Sequence, residues 1–590
     1  MELWSGIRAA FLHSPFATPT PMSPNHVRSS LLCFLSAAAL CSAALAAGGG
    51  TNGTTTRVSL TSGGGQVFSA SRDASLSRDG LRVAFESDAA LLPEDTNAHT
   101  DIYVRDLTTG TLTLASKTIL GLSANGPSRY PKLSGDGRYV VFESLASNAL
   151  GIDGNGTWDV LLRDLSTGSL ERISAQPGSL FAANDGGRRP YISYDGRYVV
   201  FDSYSSDFSA ADTNNEHDVY LFDRQLDTIQ LISVGMFAAG NGGSLSPVVS
   251  DNGRYVAFES SATNLVFNDT NAADDVFVRD RMLGTTSLVS RVPGGVIGNG
   301  DSVDPSISAD GRYVAFATFA TNLKAGDLNG DFDIYVLDRT TNVLRHASAT
   351  PSGNFTPSSG GSGPALSADG ACVSFTSAAP EMIGGGPIHL AVYVRELQSG
   401  VTRLASRSSG FATLPNGASR RSTLNGDGTL VAFDSSATNL VGGDVNLQND
   451  VFVRTLYADP IAYCTSSVTS AGCEPSMSAT GLPRVSQNAG FVVSCNDVPN
   501  NKLGLYMYGF QGRQAVPFGA GTFCLITPVT RAPSMHSGGS PGAVNDCSGS
   551  YQLDFNAFAK GLLGVAPHAS LNVVGQRVGV QCWGRDPQGA

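Results

Sequence analysis

The sequence predicts an all-β chain, with a seven-bladed β-propeller followed by a small disulfide-containing β domain. A motif of the type Ser-x-Asp-Gly-Arg-Tyr-Val-Ala-Phe occurs seven times at nearly equal spacing. Charged residues make up only 15% of the 590 residues, and there are 68 glycines, a composition that suits many strands and turns. No helical pattern interrupts the repeats, which excludes helical bundles.

The repeats divide the first region into seven units of 56 to 59 residues. The Asp of the motif stands at Asp79, Asp136, Asp195, Asp251, Asp310, Asp369 and Asp427. Each unit holds four segments that are rich in Val, Ile, Phe and Tyr and alternate apolar with polar residues, as strands do. In chain order they are Pro-x-Ile-Ser (strand a), Tyr-Val-Ala-Phe (b), Asp-Ile-Tyr-Val (c) and Leu-x-x-Ala-Ser (d). Tight Asp-Gly and Thr-Gly turns follow strands a and c. Seven such units predict a propeller, with a solenoid as the alternative.

The ends of the repeat region predict how the ring is closed. Residues 56–61 look like a strand d that follows no unit, while the seventh unit ends at Leu456 without a strand d. We therefore expect residues 56–61 to pair as the outermost strand of the blade that contains residues 423–456. This pairing would cover an edge that otherwise invites aggregation.

The motif around Asp310, followed by Asp333-Ile-Tyr-Val-Leu-Asp, resembles the TolB-type, WD40-like propeller repeat. The resemblance covers roughly residues 51–457 and implies the propeller fold. It implies little about function, because such blades serve binding modules, peptidase lids and envelope proteins alike.

From about residue 458 the chain is similar to a domain at the C-terminus of exported bacterial proteins. The similarity is carried by Tyr463-Cys464-Thr, Asn500-Asn501-Lys-Leu-Gly504, Asn545-Asp-Cys547-Ser-Gly and Trp583-Gly-Arg585-Asp-Pro. Six cysteines crowd into this region, at Cys464, Cys473, Cys495, Cys524, Cys547 and Cys582. An even number in an exported module predicts disulfides. Cys495 and Cys582 depart from the family pattern, so the resemblance implies that they pair with each other. The other four could pair as 464–473 and 524–547, although sequence leaves the connectivity open.

The N-terminus predicts export. Residues 28–47 combine a basic residue, a short apolar stretch and Ala44-Leu45-Ala46, which is typical of a secretory signal peptide and assigns it to residues 1–47. Met22 offers a more usual start than Met1, so residues 1–21 are a candidate mis-assigned start. We expect a propeller over 48–457 and a C-terminal β-sandwich-like domain over 458–590. The mature protein would be secreted, periplasmic or at the cell surface, without a membrane span; a retained anchor is the alternative.

Charge and motifs narrow the function classes. The formal net charge is −12, and an acidic protein repels phosphate backbones, which excludes nucleic acid as a partner. A match at Gly538-x-Ser540-x-Gly542 lacks the strand and helix of a nucleophile elbow and is interpreted as a coincidence. We therefore expect a non-catalytic binding or scaffold module for an envelope or extracellular protein or an acidic glycan. The alternative is a polysaccharide lyase or glycosidase in the funnel, where the aligned positions offer only Asp73 and Asp304.

Six units carry Asp-x-Asn-x-x-x-Asp between strands b and c. Carboxylate and amide oxygens at alternate loop positions are ligands that calcium prefers. The best candidate site is Asp327, Asn329, Asp331 and Asp333, because a third side-chain ligand is missing in most other units. The alternative is an Asx-turn, in which the same side chains satisfy loop amides.

Strand parity predicts where a ligand binds. The loops between strands d and a and between b and c are long and lie on one face, the long-loop face, whereas the tight turns form the opposite, short-turn face. Residues at the start of strand a should therefore rim the funnel. The aligned positions give a basic arc on four consecutive blades, with two tyrosines beside it: Arg72, Arg129, Arg188, Arg189, Arg420, Arg421, Tyr130 and Tyr191. Such an arc suits an anionic ligand. The alternative is that these arginines are solvated or paired with Asp73 and the loop acids.

Overall fold

A computed structural model describes residues 53–456 except 152, 180–181, 237, 358–359, 388 and 410–412. In the C-terminal region it describes 476–480, 492–498, 503–509, 513–518, 521–525, 529–536, 549–554, 557–558, 563 and 579–584. The predicted signal peptide, and the Gly-x-Ser-x-Gly match at 538–542, lie outside the described residues. No helix in these segments is long and apolar enough to cross a membrane.

The described part of the repeat region forms seven four-stranded antiparallel sheets, each with the order a-b-c-d. The a strands are β2 (Ser71–Leu76), β6 (Ser128–Leu133), β10 (Arg188–Ile192), β14 (Ser244–Val249), β18 (Ser302–Ile307), β22 (Ser362–Leu366) and β26 (Ser419–Leu424). The b strands are β3 (Arg82–Ser87), β7 (Tyr139–Ser144), β11 (Tyr198–Ser203), β15 (Tyr255–Ser260), β19 (Tyr313–Thr318), β23 (Cys372–Ser377) and β27 (Leu430–Ser435). The c strands are β4 (Asp101–Asp106), β8 (Asp159–Asp164), β12 (Asp218–Asp223), β16 (Asp275–Asp280), β20 (Asp333–Asp338), β24 (Ala391–Glu396) and β28 (Asp450–Thr455).

The d strands are shorter. They are β5 (Leu112–Leu114), β9 (Leu170–Arg172), β13 (Thr228–Leu231), β17 (Thr285–Leu288), β21 (Val343–His346), β25 (Thr402–Leu404) and, for the last blade, β1 (Thr55–Arg57). Blades 1 to 7 are numbered in the chain order of their a strands. Blade 6 also carries a short 3-10 helix, Pro380–Ile383, between its strands b and c. The predicted seven-bladed propeller is confirmed.

The ring is closed. Strand a of each blade packs on strands a and b of the preceding blade, and β2 packs in the same way on β26 and β27. The N-terminal strand β1 pairs antiparallel with β28, with Thr56 opposite Val453. The expected closing strand is thus confirmed, although it begins at residue 55 and its regular part ends at residue 57.

The closing strand reproduces a hydrogen-bond latch of the other blades. In blade 2, Ser174 after strand d donates to Asp159 at the head of strand c (Oγ–Oδ1 2.9 Å). In blade 7 the same role falls to Ser59, whose Oγ lies 2.6 Å from Asp450 Oδ1. Ser59 Oγ also accepts the N–H of Val451 at 3.0 Å. The N-terminal segment therefore replaces the missing strand d in its side-chain hydrogen bonds as well as in its strand pairing.

The core lies between blades. Apolar side chains of strands b and c of one blade pack against strands a and b of the next; for example, Phe316 of blade 5 packs with Val276 and Val278 of blade 4. Buried arginines of strand c add polar links between blades. Arg105 of blade 1 donates from Nε to the carbonyl of Val58 in the closing strand at 2.7 Å. This contact explains the Arg in the Asp-Ile-Tyr-Val-Arg-Asp segment of the repeat.

One repeat position differs from the sequence alignment. In most a–b turns the Asp of the motif accepts a hydrogen bond from the Ser two residues before it, as Asp195 does from Ser193 at 2.9 Å. In blade 4 it is Asn252, not Asp251, that accepts this bond from Ser250 at 3.0 Å. Asp251 is instead one residue earlier and has a different role, described below.

The C-terminal region contributes eight described strands. They are β29 (Ser476–Thr480), β30 (Val492–Val498), β31 (Leu503–Gly509), β32 (Arg513–Phe518), β33 (Gly521–Leu525), β34 (Val529–His536), β35 (Gly549–Asp554) and β36 (Gly579–Gly584). They form two three-stranded sheets, β29-β30-β35 and β34-β31-β36, and the hairpin β32-β33. Cys495, which is buried, and Cys582 belong to strands of different sheets. The disulfide pairings stay predictions, because only Cys495 among the six has a described side chain.

Candidate functional site

Every strand a contains a bulge at the residue that the sequence predicts to rim the funnel. The register with strand b shifts there in all seven blades, for example between Arg72 and Ser75. The first residue after the shift begins has a left-handed backbone (φ 46–58°) in each blade: Asp73, Tyr130, Arg189, Ser246, Asp304, Gly363 and Arg421. Six of these seven residues carry a side chain, so each blade holds a backbone conformation that such residues rarely adopt.

The bulge serves the contact between blades. The residue before the left-handed one stands opposite an acid of strand b in five blades, where that acid is Glu86, Glu143, Asp202, Glu259 or Asp434. The three glutamates accept the N–H of the left-handed residue of the next blade. Glu86 Oε2 accepts from Tyr130 N at 3.2 Å, Glu143 Oε1 from Arg189 N at 2.6 Å, and Glu259 Oε2 from Asp304 N at 2.8 Å. These bonds connect the rim from blade 1 to blade 3 and from blade 4 to blade 5.

In blades 1 and 2 the strand b acid is a glutamate, and it neutralises the arginine opposite. Arg72 Nε lies 2.6 Å from Glu86 Oε1, and Arg72 Nη1 lies 2.8 Å from Asp88 Oδ2. Arg129 Nε lies 2.7 Å from Glu143 Oε2. The Arg129 guanidinium also stacks on Trp158, with Cζ 3.8 Å from the ring centroid.

In blades 3 and 7 the strand b acid is an aspartate, and the pairing changes. Asp202 Oδ2 lies 2.9 Å from Nη1 of Arg189, the left-handed residue, and not of Arg188. In blade 7, Arg421 lies 3.2 Å from Asp73 and 3.7 Å from Asp434.

The consequence is that two arginines are left over. In these two blades the left-handed residue is itself an arginine, and the shorter acid pairs with it rather than with the arginine opposite. Among the residues that the structure describes, no acid lies within 4 Å of the guanidinium groups of Arg188 and Arg420. Arg420 is exposed and Arg188 is partly exposed. They are the arginines of the arc best able to bind an external anion.

Burial weakens the charge of the acids in the network. It raises the pKa of Glu86 to about 7, with the nearby Asp73 carboxylate adding to the shift. Burial likewise raises the pKa of Asp434 to about 7, against the opposing effect of Arg421. The pKa of Glu143 is also raised, chiefly by burial. At neutral pH Glu86 and Asp434 are therefore partly protonated while the arginines keep their charge.

Lys132 and Tyr191 follow the bulge on the a strands of blades 2 and 3. Burial lowers the pKa of Lys132, although Asp73 and Glu86 of blade 1 oppose the shift. Burial raises the pKa of Tyr191, which is also influenced by the charges of Arg78 and Asp251. Both side chains therefore interact with residues of other blades.

The floor of the funnel is an ion pair across the axis. Arg78, in the a–b turn of blade 1, pairs with Asp251, in the a–b turn of blade 4. Tyr194 of blade 3 lies against them, with Arg78 Cζ 5.8 Å from its ring centroid. Blades 1 and 4 are far apart around the ring, so this contact is possible only near the axis. Neighbouring turns are joined by backbone bonds at six of the seven junctions, for example from Gly426 N to Arg78 O at 2.8 Å.

The short-turn face holds a second set of arginines, which are held by ion pairs or by contacts with tyrosine rings. Arg254 Nη2 lies 2.7 Å from Asp280 Oδ2, and its guanidinium covers Tyr255 with Cζ 4.8 Å from the centroid. Arg339 of the next blade covers the same ring at 4.5 Å. The equivalent Arg138 lies 2.7 Å from Asp164 and covers Tyr139. These arginines, which include the Arg of the repeat motif, provide a comparison set for those of the arc.

The predicted arginines do lie at the start of strand a, but they differ in whether an acid neutralises them. Arg72, Arg129, Arg189 and Arg421 are ion-paired, as the alternative interpretation expects, whereas Arg188 and Arg420 are not. Tyr130 occupies a left-handed position beside Arg129, and Tyr191 follows the bulge of blade 3. Sequence reasoning missed the acids of strand b, although Phe-Glu-Ser or Phe-Asp-Ser recurs there. It also missed Trp158, Tyr204 and His217, which no repeat signal marks.

The predicted calcium ligands form an Asx-type loop. Asp331 donates its N–H to Asn329 Oδ1 at 3.0 Å, and Asn329 Nδ2 donates to Asp333 Oδ2 at 3.2 Å. Asp333 Oδ1 also lies 3.0 Å from His346 Nε2. Within the described ranges, no three His, Cys, Asp or Glu side chains are placed to hold a metal ion together. Calcium binding at Asp327, Asn329, Asp331 and Asp333 stays a prediction.

No protein-family model matches the chain, and no curated protein matches it. Solved propeller structures do. TolB from Acinetobacter baumannii is 15% identical with a TM-score of 0.32, over 55% of this chain and 63% of that chain. The β-propeller domain of the Trilobed protease from Pyrococcus furiosus is 12% identical with a TM-score of 0.41, over 66% and 93%. An acylaminoacyl peptidase is 11% identical with a TM-score of 0.39, over 76% and 59%.

These similarities concern the fold alone. The chain spans less than two thirds of the length of the TolB structure that it matches. The expected TolB-like propeller is confirmed, and the seven-bladed ring follows from the strand pairing of the chain itself. The resemblance of the C-terminal region to a domain of exported proteins stays a prediction.

Proposed function

We propose that this chain is an exported, non-catalytic binding module that acts at the cell envelope or outside the cell. Its long-loop face binds an anionic ligand, which is a glycan or an acidic part of a protein. The observation that carries the proposal is the pair Arg188 and Arg420, which make no ion pair within the described network while their equivalents in blades 1 and 2 do. A cation without a partner at the mouth of a funnel is available to a ligand.

Two further features support an anion over a cation. The acids of the network are engaged by arginines or by backbone N–H groups, as Glu143 is by Arg129 and Arg189. Burial also raises the pKa of Glu86 and Asp434 to about 7, so their negative charge is incomplete at neutral pH. The basic arc belongs to an otherwise acidic chain of net charge −12, which keeps most of the surface from attracting anions.

The test compares binding of three probes by calorimetry: polygalacturonate, poly-L-glutamate and neutral dextran. We expect the two acidic probes to bind and dextran not to bind. The double variant Arg188→Ala/Arg420→Ala should weaken binding of the acidic probes by about a hundredfold or more, because each charge-assisted contact is worth about 1.5–3 kcal/mol. Its melting temperature should not fall, since neither side chain makes an ion pair that is lost.

The matched control is Arg138→Ala/Arg254→Ala on the short-turn face, which removes the same charge. We expect this variant to bind the acidic probes as the original protein does. Equal weakening by both double variants would show only an effect of total charge and would contradict the proposal, as would failure of both acidic probes to bind.

The alternative of a polysaccharide lyase or glycosidase is tested in the same samples. Incubation of the protein with polygalacturonate, followed by measurement of new reducing ends and of unsaturated uronate, should show no product. Product formation that is lost on substitution of Asp73 or Asp304 would replace the binding proposal with the enzymatic one.

A further inference from the structure

Blade 3, which contains the unpaired Arg188, also carries an aromatic and imidazole pair between its strands b and c. Tyr204 follows strand β11 and His217 precedes strand β12, so both stand on the long-loop face. Their ring centroids are 3.6 Å apart, with 41° between the ring planes. Tyr204 is 45% exposed, whereas His217 is buried. The buried imidazole therefore holds one face of an exposed phenol ring and leaves its other surfaces open to the solvent.

Asp202 lies beside the imidazole. His217 Nδ1 is 3.0 Å from Asp202 Oδ2, the same oxygen that pairs with Arg189. Asp202 also stands opposite Arg188 in the pairing of strands a and b. Arg188 and Tyr204 thus offer a cation and an apolar ring face in one blade.

We infer that blade 3 binds a uronic acid residue of an acidic polysaccharide. Arg188 binds the sugar carboxylate, and the Tyr204 ring packs against the C–H face of the pyranose. The inference rests on the proposed function and specifies its ligand. A phosphate would need only the cation, and an acidic peptide has no flat C–H face to place against a tyrosine, so the two groups together favour a uronate.

Other blades lack one part of this combination. Blade 7 has the unpaired Arg420, but Ser436 and Asn449 stand where Tyr204 and His217 stand in blade 3. Blade 5 has the aromatic pair Phe319 and Phe332, with centroids 3.7 Å apart, but Val303 replaces the arginine. Phe319 is 42% exposed, close to the exposure of Tyr204, which makes it a matched control.

The experiment measures the affinity of the full chain for oligogalacturonate and for poly-L-glutamate of equal charge. The variants are Tyr204→Ala, Tyr204→Phe and Phe319→Ala. We expect Tyr204→Ala to weaken oligogalacturonate binding about twofold to tenfold, in line with the ~0.5–1.5 kcal/mol of an aromatic contact, and to leave poly-L-glutamate binding unchanged. Tyr204→Phe keeps the ring and should bind as the original protein does, and so should Phe319→Ala. Melting temperatures establish that each variant is folded.

The inference and the proposed function fail in different ways. If Arg188→Ala/Arg420→Ala weakens both probes while Tyr204→Ala weakens neither or weakens both equally, the uronate site is wrong and the anion-binding arc remains. If Phe319→Ala has the effect expected of Tyr204→Ala, the site is not in blade 3. If the arginine variant changes the binding of neither probe, the proposed function itself is wrong.

Discussion

Blades 1 and 2 differ from blades 3 and 7 at two positions, and the difference decides which arginines are ion-paired. All four blades have an arginine just before the left-handed residue of strand a and an acid opposite it on strand b. The left-handed residue is Asp73 or Tyr130 in blades 1 and 2, but Arg189 or Arg421 in blades 3 and 7. Where the acid is Glu86 or Glu143, the arginine opposite is neutralised. Where the acid is Asp202 or Asp434, the left-handed arginine next along the strand takes the carboxylate.

The comparison teaches that equivalent positions in a repeat need not have equivalent roles. In the glutamate blades the arginine contributes to the contact between blades. In the aspartate blades that contribution passes to Arg189 and Arg421, and Arg188 and Arg420 make no ion pair with the described residues. A sequence alignment of the arginines alone would treat all of them as the same.

The largest effect is expected from breaking blade 7 itself. A protein that begins at residue 63 lacks β1 and the Ser59 latch, and strand β28 then presents an open edge. We expect it to aggregate and to lose its cooperative melting transition. Size-exclusion chromatography and thermal unfolding measure this. If the shortened protein stays monomeric with an unchanged melting temperature, ring closure by β1 does not stabilise the propeller.

Converting aspartate blades into glutamate blades should remove the free arginines without removing a charge. In Asp202→Glu/Asp434→Glu, the longer side chains should reach Arg188 and Arg420 as Glu86 and Glu143 reach Arg72 and Arg129. We expect binding of polygalacturonate to weaken about tenfold, the equivalent of ~1.4 kcal/mol, as measured by calorimetry. The control is Thr376→Val, at the same strand position of blade 6, where no arginine stands opposite. Unchanged affinity of the double variant would contradict the role given to side-chain length.

The reverse substitution should release an arginine. Glu143→Asp shortens the acid opposite Arg129, whose guanidinium then keeps its contacts with the Trp158 and Tyr130 rings. We expect polygalacturonate to bind a few times more tightly, together with a lower melting temperature, because the contact from Glu143 to Arg189 N is also strained. Weaker binding by a variant that remains folded would show that Arg129 needs Glu143 for its position rather than being neutralised by it.

The smallest effect concerns pH. Because burial raises the pKa of Glu86 and Asp434 to about 7, both acids lose charge as the pH falls from 8 to 6, and Arg72 and Arg421 gain free positive charge. Binding of polygalacturonate should therefore tighten by a few fold at pH 6, since its carboxylates stay ionised. Calorimetry at both pH values measures the change. In Glu86→Gln/Asp434→Asn the dependence should disappear; a dependence of equal size in that variant would assign it to other groups.

The free energy of unfolding also depends on pH in this range, but it reports on more groups than ligand binding does. A carboxyl whose pKa is higher in the folded state binds more protons when folded, so the free energy of unfolding decreases as the pH rises toward 7. Asp218, in the latch of blade 3, has its pKa raised to about 7 by burial as well, and it does not belong to the arc. The pH dependence of unfolding therefore contains contributions from the latch acids as well as from the arc, whereas the pH dependence of ligand binding reports on the arc.

Much of the fold could be predicted because the same sequence motif recurs in every blade. The spacing of the motif Asp, the Asp-Gly turns and the orphan strand at Thr56 were sufficient for seven blades and for the closing strand. The offset in blade 4 was missed, although Ser250 and Gly253 align Asn252 with the Asp of the motif. The hydrogen bond from Ser250 to Asn252 confirms that alignment.

The site was predictable in position but not in detail. The arginines align because they share a strand position, which a repeat preserves. Their partners depend on the bulge at Arg72 to Ser75 and its equivalents, which changes the register across strands a and b. A left-handed backbone at Tyr130 or Arg189 has no signature in those residue types; only Gly363, at the same position of blade 6, hints at it.

The ion pair of Arg78 and Asp251 closes the central channel of the propeller at the short-turn face. With seven turns spaced like neighbouring strands, about 4.8 Å apart, the turn backbones stand roughly 5 Å from the axis, and these two side chains cross the remaining space. A polymer therefore cannot thread through the ring. It reaches the arginines by a chain end or by lying across the mouth. A ligand that lies across gives one long molecule room for many propellers along its length, whereas end binding allows only one propeller at each terminus.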